Sequence, residues 1–93
     1  MPAYFLAEVE VERPDVYAQY VEKASRIVEQ YGGRYVFRSE LIHPVSGNWC
    51  PSRMVLIEFE SEQKIVECFS SDEYKSIASL REQSTKSKAV IVE

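Results

Sequence analysis

The stretch YGGRYVFRS, residues 31–39, joins the end of a predicted helix to the start of a predicted strand. Gly32 follows the last residue of the helical apolar pattern, where a left-handed C-terminal cap is easiest for a residue without Cβ. Gly33 lets the chain reverse, and the residues from Arg34 to His43 then predict a long strand. The stretch is therefore interpreted as a turn followed by a strand.

Two regular elements precede this junction. Residues 3–11, AYFLAEVEV, alternate with period two, which predicts a strand with two unlike faces. Pro14 suits the first turn of a helix. From there, apolar residues recur every three or four positions and predict an amphipathic helix over residues 14–31.

Three further elements follow the junction. The turn-forming loop PVSGNWCPS ends the second strand, and residues 53–60, RMVLIEFE, predict a central strand because their apolar character is nearly continuous. Ser61 suits the N-cap of a second helix, and Ser70 with Glu73 has the capping-box spacing that predicts a short third helix. The final stretch, KSKAVIVE, predicts the last strand.

The order of these elements predicts an α+β fold, a ferredoxin-like βαββαβ sandwich with helices on one face of an antiparallel four-stranded sheet. Ninety-three residues suit one domain, residues 1–93. The face without helices would carry apolar side chains that a folded protein rarely leaves in water. We therefore expect a homodimer in which a second copy covers this face, whose predicted residues are Tyr4, Leu6, Met54 and Leu56.

Composition limits the functions that the chain is expected to have. Its net charge of −4 disfavours nucleic acid, which attracts clustered Lys and Arg. The N-terminal stretch lacks a basic leader region and no segment is apolar enough to span a membrane, so we expect a cytoplasmic protein. Cys50 and Cys68, with His43 as the one imidazole, form no metal constellation, and we expect no metal or cofactor. Two free thiols are expected, with a secreted disulfide as the alternative.

Several stretches together resemble a known family. They span essentially the whole chain: MPAYFLAEVEV, VYAQY, YGGRYVFRS, NWCPSRMVLIEFES and SDEYKSIASLR. The chain resembles the domain of unknown function 1330 family, within the dimeric α+β barrel superfamily. The resemblance implies a ferredoxin-like protomer and a two-fold dimer whose sheets form a barrel, and it implies no established activity. Arg13 departs from the family, which commonly has an aspartate there to cap the first helix.

Three polar residues form the predicted catalytic site. Glu8 and Glu58 would point to the barrel side of neighbouring strands, where like charges held close raise a carboxyl pKa as an acid or base requires. Arg38 would be their counter-ion or would polarise a substrate carbonyl. Superfamily relatives include cofactor-free isomerases and monooxygenases, so proton transfer on a small organic ligand is one hypothesis. A structural ion cluster in a non-catalytic binding or interaction module is the alternative, and the sequence does not decide between them.

Five further residues are candidates for ligand binding: His43, Trp49, Arg53, Tyr74 and Arg81. His43 could act at a pocket rim, but strict alternation places it opposite Arg38 unless the strand bulges near Ser39. Trp49 could floor a pocket or pack over a core edge. Tyr74 and Arg81 lie seven residues apart on one helix face, where they could bind an anion or pair with the protein's own groups.

Overall fold

A computed structural model describes all residues, 1–93, and confirms the ferredoxin-like fold. The four strands form one antiparallel sheet in the order β2-β3-β1-β4. The two central strands are therefore the first and third along the chain. The elements are β1 (Ala3–Val11), α1 (Pro14–Gln30), β2 (Arg34–Ser39), β3 (Met54–Phe59), α2 (Glu62–Phe69), α3 (Asp72–Lys75), α4 (Ala78–Ser84) and β4 (Thr85–Val92).

Helix α1 begins and ends as its sequence predicts. Pro14 occupies its first position, and Arg13 makes no side-chain capping hydrogen bond, so the helix lacks the cap that an aspartate would supply. At the other end, Gly32 has φ of 80°. The Gly33 N–H donates to the Val28 carbonyl at 2.9 Å. The left-handed residue thus lets the chain close the helix and turn into β2.

The hydrophobic core lies between the helices and one face of the sheet. Alternate residues of β1 and β3 are buried there, whereas their neighbours on the other face remain half-exposed. This confirms the two unlike faces predicted for β1, and β3 shows the same alternation although its nearly continuous apolar character predicted a strand covered on both sides. The sheet's half of the core includes Ala7, Val9, Val55, Ile57 and Phe59.

Two predicted boundaries are wrong, and the single short helix predicted to carry Tyr74 and Arg81 on one face is divided into α3, which holds Tyr74, and α4, which holds Arg81. Strand β2 ends at Ser39 rather than His43, and residues 40–53 form an irregular loop. The Ser39 hydroxyl accepts a hydrogen bond from the Leu41 N–H at 3.0 Å, a local turn that competes with further pairing. Helix α3 is capped by Ser71, whose hydroxyl accepts from the Tyr74 N–H at 3.1 Å. Ser70 instead ends α2 and donates its hydroxyl to the Val66 carbonyl.

The two cysteines lie in different environments. Cys50 is exposed in the loop, whereas Cys68 is fully buried on α2, and neither is in a disulfide. Burial raises the pKa of the Cys68 thiol to about 11, which makes it a poor nucleophile at neutral pH.

None of the helices combines the length and apolar character that crossing a membrane requires.

The close packing around Gly33 predicts that a larger residue there would destabilise the protein. A Cβ at this position would lie 2.5 Å from Val28 Cγ1 and 2.8 Å from Phe59 Cζ. Both neighbours are buried and cannot easily move. We expect Gly33→Ala to lower the free energy of unfolding by about 2 kcal/mol or more, measured by urea denaturation. Gly32→Ala is the matched control: it meets only backbone strain and should cost about 1 kcal/mol. A smaller loss for Gly33→Ala than for Gly32→Ala would contradict this packing.

Candidate functional site

A β-bulge in β2 decides which side chains face the helices. Arg34 pairs with Glu58 and Tyr35 with Ile57, but the next pair is Phe37 with Leu56. Val36 is therefore an extra residue with no partner on β3, and every later residue of β2 changes face. Phe37 consequently lies on the face of the sheet that bears no helices, here called the open face.

The same bulge overturns the predicted position of Arg38. The residue pairs with Val55 and faces the helices, so it is not the counter-ion of Glu8 and Glu58. Its Nη1 donates to the Ser25 hydroxyl on α1 at 3.2 Å, and its guanidinium lies 4.4 Å from the centre of the Tyr35 ring. A bulge does occur in this strand, but at Val36 rather than near Ser39.

Glu58 and Glu8 do share the open face, but they are not held close together. Glu58 lies opposite Tyr4 and Glu8 lies opposite Met54, which separates them by four residues along the strands, roughly 13 Å. Repulsion between the two carboxylates is correspondingly weak at this distance. The predicted acid–base pair is therefore not assembled within this chain.

Each of these carboxylates has its own partners. Arg34 donates to Glu58 at 2.5 Å, and the Tyr4 hydroxyl donates to the same carboxylate at 3.3 Å. Glu8 accepts from Trp49 Nε1 at 3.2 Å. It also lies 3.6 Å from Lys88 Nζ. The open face thus carries two locally neutralised ion pairs.

A cavity of about 150 Å³ lies between α1 and the helix side of the sheet. Its walls are mostly apolar, and it is hereafter called the helix-side cavity. Small residues on three facing elements leave the space open, because Ala7 of β1 lies opposite Ala89 of β4 and Ala24 of α1 lines the same cavity. The lining residues are Phe5, Ala7, Val9, Tyr17, Tyr20, Val21, Ala24, Val28, Tyr35, Arg38, Val55, Ile57, Phe69, Arg81, Ser87, Lys88 and Ala89.

The charges that line this cavity have one sign. Arg38 and Arg81 line it and no carboxylate does; Lys88 also borders it, but Lys88 lies opposite Glu8, so its ammonium group is on the open face. Lys88 is paired with Glu8, and Arg81 lies 4.0 Å from Glu82, its neighbour in sequence. Arg38 has no carboxylate within ion-pairing distance. An unpaired guanidinium beside an apolar cavity is a suitable partner for an anionic ligand.

Three tyrosines add hydroxyl groups to the cavity wall. Burial is the main cause that raises the pKa of Tyr20, whose hydroxyl lies 2.8 Å from that of Tyr74. Burial likewise raises the pKa of Tyr35, against a smaller opposing effect of Ser25 and Arg38. Tyr17 accepts a hydrogen bond from Arg53 Nε at 3.2 Å. Tyr20 and Tyr35 are therefore neutral hydrogen-bond donors at physiological pH.

The other predicted ligand-binding residues divide into two groups. Arg81 lines the cavity, while Tyr74 and Arg53 each contact a tyrosine that does. Arg53 also pairs with Glu40 at 2.9 Å. His43 and Trp49 belong to the exposed loop and line no part of the cavity.

The sequence interpretation missed the cavity and its three lining tyrosines. Tyr17 and Tyr20 belong to the apolar repeat that predicts α1, and the repeat by itself indicates no role for them beyond packing. A detectable signal was present: alanine at core positions 7 and 24, each surrounded by larger apolar residues of its own element, leaves volume unfilled. These alanines indicate a cavity only when the elements that face them are known.

Comparison with known proteins identifies the family. The sequence model described as "Domain of unknown function (DUF1330)" matches residues 2–93. The chain belongs to the DUF1330 family. No curated protein matches this member significantly.

Solved structures share the fold of this DUF1330 protein at low sequence identity. RPA0582, a protein of unknown function from Rhodopseudomonas palustris, is 17% identical with a TM-score of 0.83, covering 98% of this chain and 80% of its own. SnoaB, a cofactor-independent oxygenase from Streptomyces nogalater, is 10% identical with a TM-score of 0.73, and the match covers 99% of this chain and 91% of SnoaB. The designed protein Foldit4 is 8% identical with a TM-score of 0.64, and the match covers 100% of this chain and 97% of Foldit4. At these identities the likeness shows the fold alone.

The raised pKa of Tyr20 predicts a change in stability at alkaline pH. An unfolded tyrosine loses its proton near pH 10, whereas Tyr20 keeps it when folded, so the free energy of unfolding should fall as pH rises above 10. The slope contributed by one such group is at most about 1.4 kcal/mol per pH unit. We expect a shallower decline in Tyr20→Phe, measured by urea unfolding between about pH 9 and 11. Equal slopes in the two proteins would contradict this assignment.

Proposed function

We propose that this protein binds a small organic molecule in the helix-side cavity. The observation that carries the proposal is a mostly apolar cavity whose polar lining consists of cationic side chains and hydroxyl groups. Ligand sites typically combine apolar walls with a few polar groups that orient the ligand. The site lies within one protomer, rather than between the two sheets where the sequence analysis expected it.

The volume of the cavity limits the size of the ligand. An apolar cavity of roughly 150 Å³ accommodates a molecule the size of benzene. The cavity of this protein has about that volume. A single ring with small substituents therefore fits without rearrangement, whereas a fused multi-ring ligand would require the helices to move.

Binding explains the geometry better than proton abstraction does. Neither Glu8 nor Glu58 lines the cavity, so a ligand there reaches no carboxylate base. Arg38 and the neutral tyrosine hydroxyls could still polarise a carbonyl or stabilise an oxyanion. Cofactor-independent chemistry of the kind named for SnoaB thus remains an analogy of fold. Of the three predicted catalytic residues, only Arg38 lines the cavity.

The open face supports a homodimer as the assembled form. It is largely apolar, and its members are Tyr4, Leu6, Phe37, Met54, Leu56, Val90 and Val92. Its two ion pairs, Arg34–Glu58 and Lys88–Glu8, are locally neutral, so a second copy can pack over them without strong repulsion between like charges. The ion pairs then act as fixed polar contacts of an interface, which is the structural role considered for them above.

The cellular setting follows from the thiols and the charge. Cys50 and Cys68 are unbridged, which suits a reducing compartment, and we assign the protein to the cytoplasm. A net charge of −4 makes nucleic acid an unsuitable partner. The proposed partners are therefore a second copy of the chain and a small organic ligand.

The homodimer predicts a specific effect of charge on the open face. Light scattering should give twice the 10.8 kDa mass of the chain. We expect Leu56→Lys, at the centre of the open face, to shift the protein to a monomer because a buried lysine would lack a partner. Val66→Lys is the control, since Val66 is an exposed valine on α2. A wild-type monomer at high micromolar concentration would refute the dimer.

Ligand binding in the cavity predicts a map of chemical shift changes. Phenol, benzoate and benzylamine should be titrated separately into the labelled protein and followed by amide spectra. We expect at least one of them to shift the amide resonances of residues that line the cavity. Ala24→Leu or Ala89→Leu should abolish these shifts by filling the space, whereas Ala18→Leu, on the exposed side of α1, should not. If none of the three molecules shifts the lining residues, the proposed function is wrong.

A further inference from the structure

We infer that the ligand is a monocyclic aromatic carboxylate, whose ring enters the helix-side cavity and whose carboxylate binds Arg38. The inference rests on the proposed function, because it specifies the chemistry of a ligand for the same cavity. It starts from the distribution of charge. Fifteen acidic residues outnumber eleven basic ones in the chain, yet the cavity lining holds basic side chains and no acidic one.

Arg38 is the cation that is free to bind such a ligand. Lys88 borders the cavity but its ammonium group pairs with Glu8 on the open face, and Arg81 lies near Glu82, whereas Arg38 is hydrogen-bonded to a serine hydroxyl, stacks on an aromatic ring and has no ion-pair partner. Stacking on Tyr35 and the hydrogen bond to Ser25 hold the guanidinium in place. A pre-positioned guanidinium can donate two parallel hydrogen bonds to a carboxylate, which a lysine cannot do.

Exposure of Arg38 places the charged end of the ligand at the cavity mouth. The residue is exposed, although it lines the cavity. A carboxylate bound there keeps part of its hydration, so the ligand avoids the cost of burying an ion in an apolar interior. The apolar end of the same molecule then extends inward, away from water.

The walls favour a flat ring at that apolar end. Phe5 and Phe69 both line the cavity, with ring centres 4.3 Å apart and planes 20° apart. Tyr20 adds another ring to the lining. Aromatic walls pack well against a planar aromatic guest. The hydroxyls of Tyr17 and Tyr35 would donate hydrogen bonds to a ring substituent or to a carboxylate oxygen.

Calorimetric titration with three matched molecules tests the inference. Benzoate, benzyl alcohol and benzylamine share one ring and differ in charge. We expect benzoate to bind wild-type protein at least about tenfold more tightly than benzyl alcohol, as a charge-assisted hydrogen bond would provide. Benzylamine should bind most weakly because the lining is cationic. Equal affinities for benzoate and benzyl alcohol would overturn the carboxylate assignment while leaving cavity binding intact.

Variants of Arg38 assign the selectivity to this residue. Arg38→Met should weaken benzoate binding about tenfold or more and leave benzyl alcohol within about twofold. Arg38→Lys should retain part of the preference, since it keeps the charge but not the paired hydrogen bonds. Arg26→Met is the control, because Arg26 is an exposed arginine on α1 paired with Glu22. Unchanged benzoate affinity in a folded Arg38→Met would refute the role of Arg38, and absence of binding by all three molecules would remove the proposed function as well.

Discussion

One extra residue in β2 decides on which face of the sheet the later side chains of this strand lie. Side chains of a strand alternate between the two faces of a sheet, so an unpaired residue exchanges the faces for everything that follows it. With Val36 unpaired, Phe37 joins the open face and Arg38 turns toward the helices. Without this bulge, Arg38 would lie on the open face and the cavity would lose its unpaired cation.

The helix-side cavity depends on three alanines contributed by separate elements. Ala7 and Ala24 belong to the core and Ala89, opposite Ala7 on β4, is exposed; all three line the cavity, where larger side chains would take up its volume. Unfilled space of this kind forfeits dispersion contacts and lowers stability. A bound ring would restore those contacts, so occupancy of the cavity and stability of the fold would be linked.

The two faces of the sheet use charge in different ways. On the open face, Glu58 and Glu8 are each matched by a cation, which leaves a largely apolar surface with little net charge. On the helix side, Arg38 has no anion of its own. Paired charges suit packing against a second copy, whereas an unpaired guanidinium suits a ligand that brings its own negative charge. Under the proposed function, assembly and ligand recognition would therefore use opposite faces of one sheet.

Much of the fold was predictable from the sequence because it is encoded by local patterns. The structure confirms three such patterns, each a property of neighbouring residues. They are the alternation with period two in residues 3–11, the helical repeat of residues 14–31, and the glycines at positions 32 and 33. The family likewise follows from sequence. The site was not predictable in this way. Strand register and packing between distant segments decide whether Arg38 faces a helix and how far Glu8 lies from Glu58. They also decide whether alanines on three elements line one cavity. Only the tertiary structure determines this register and packing.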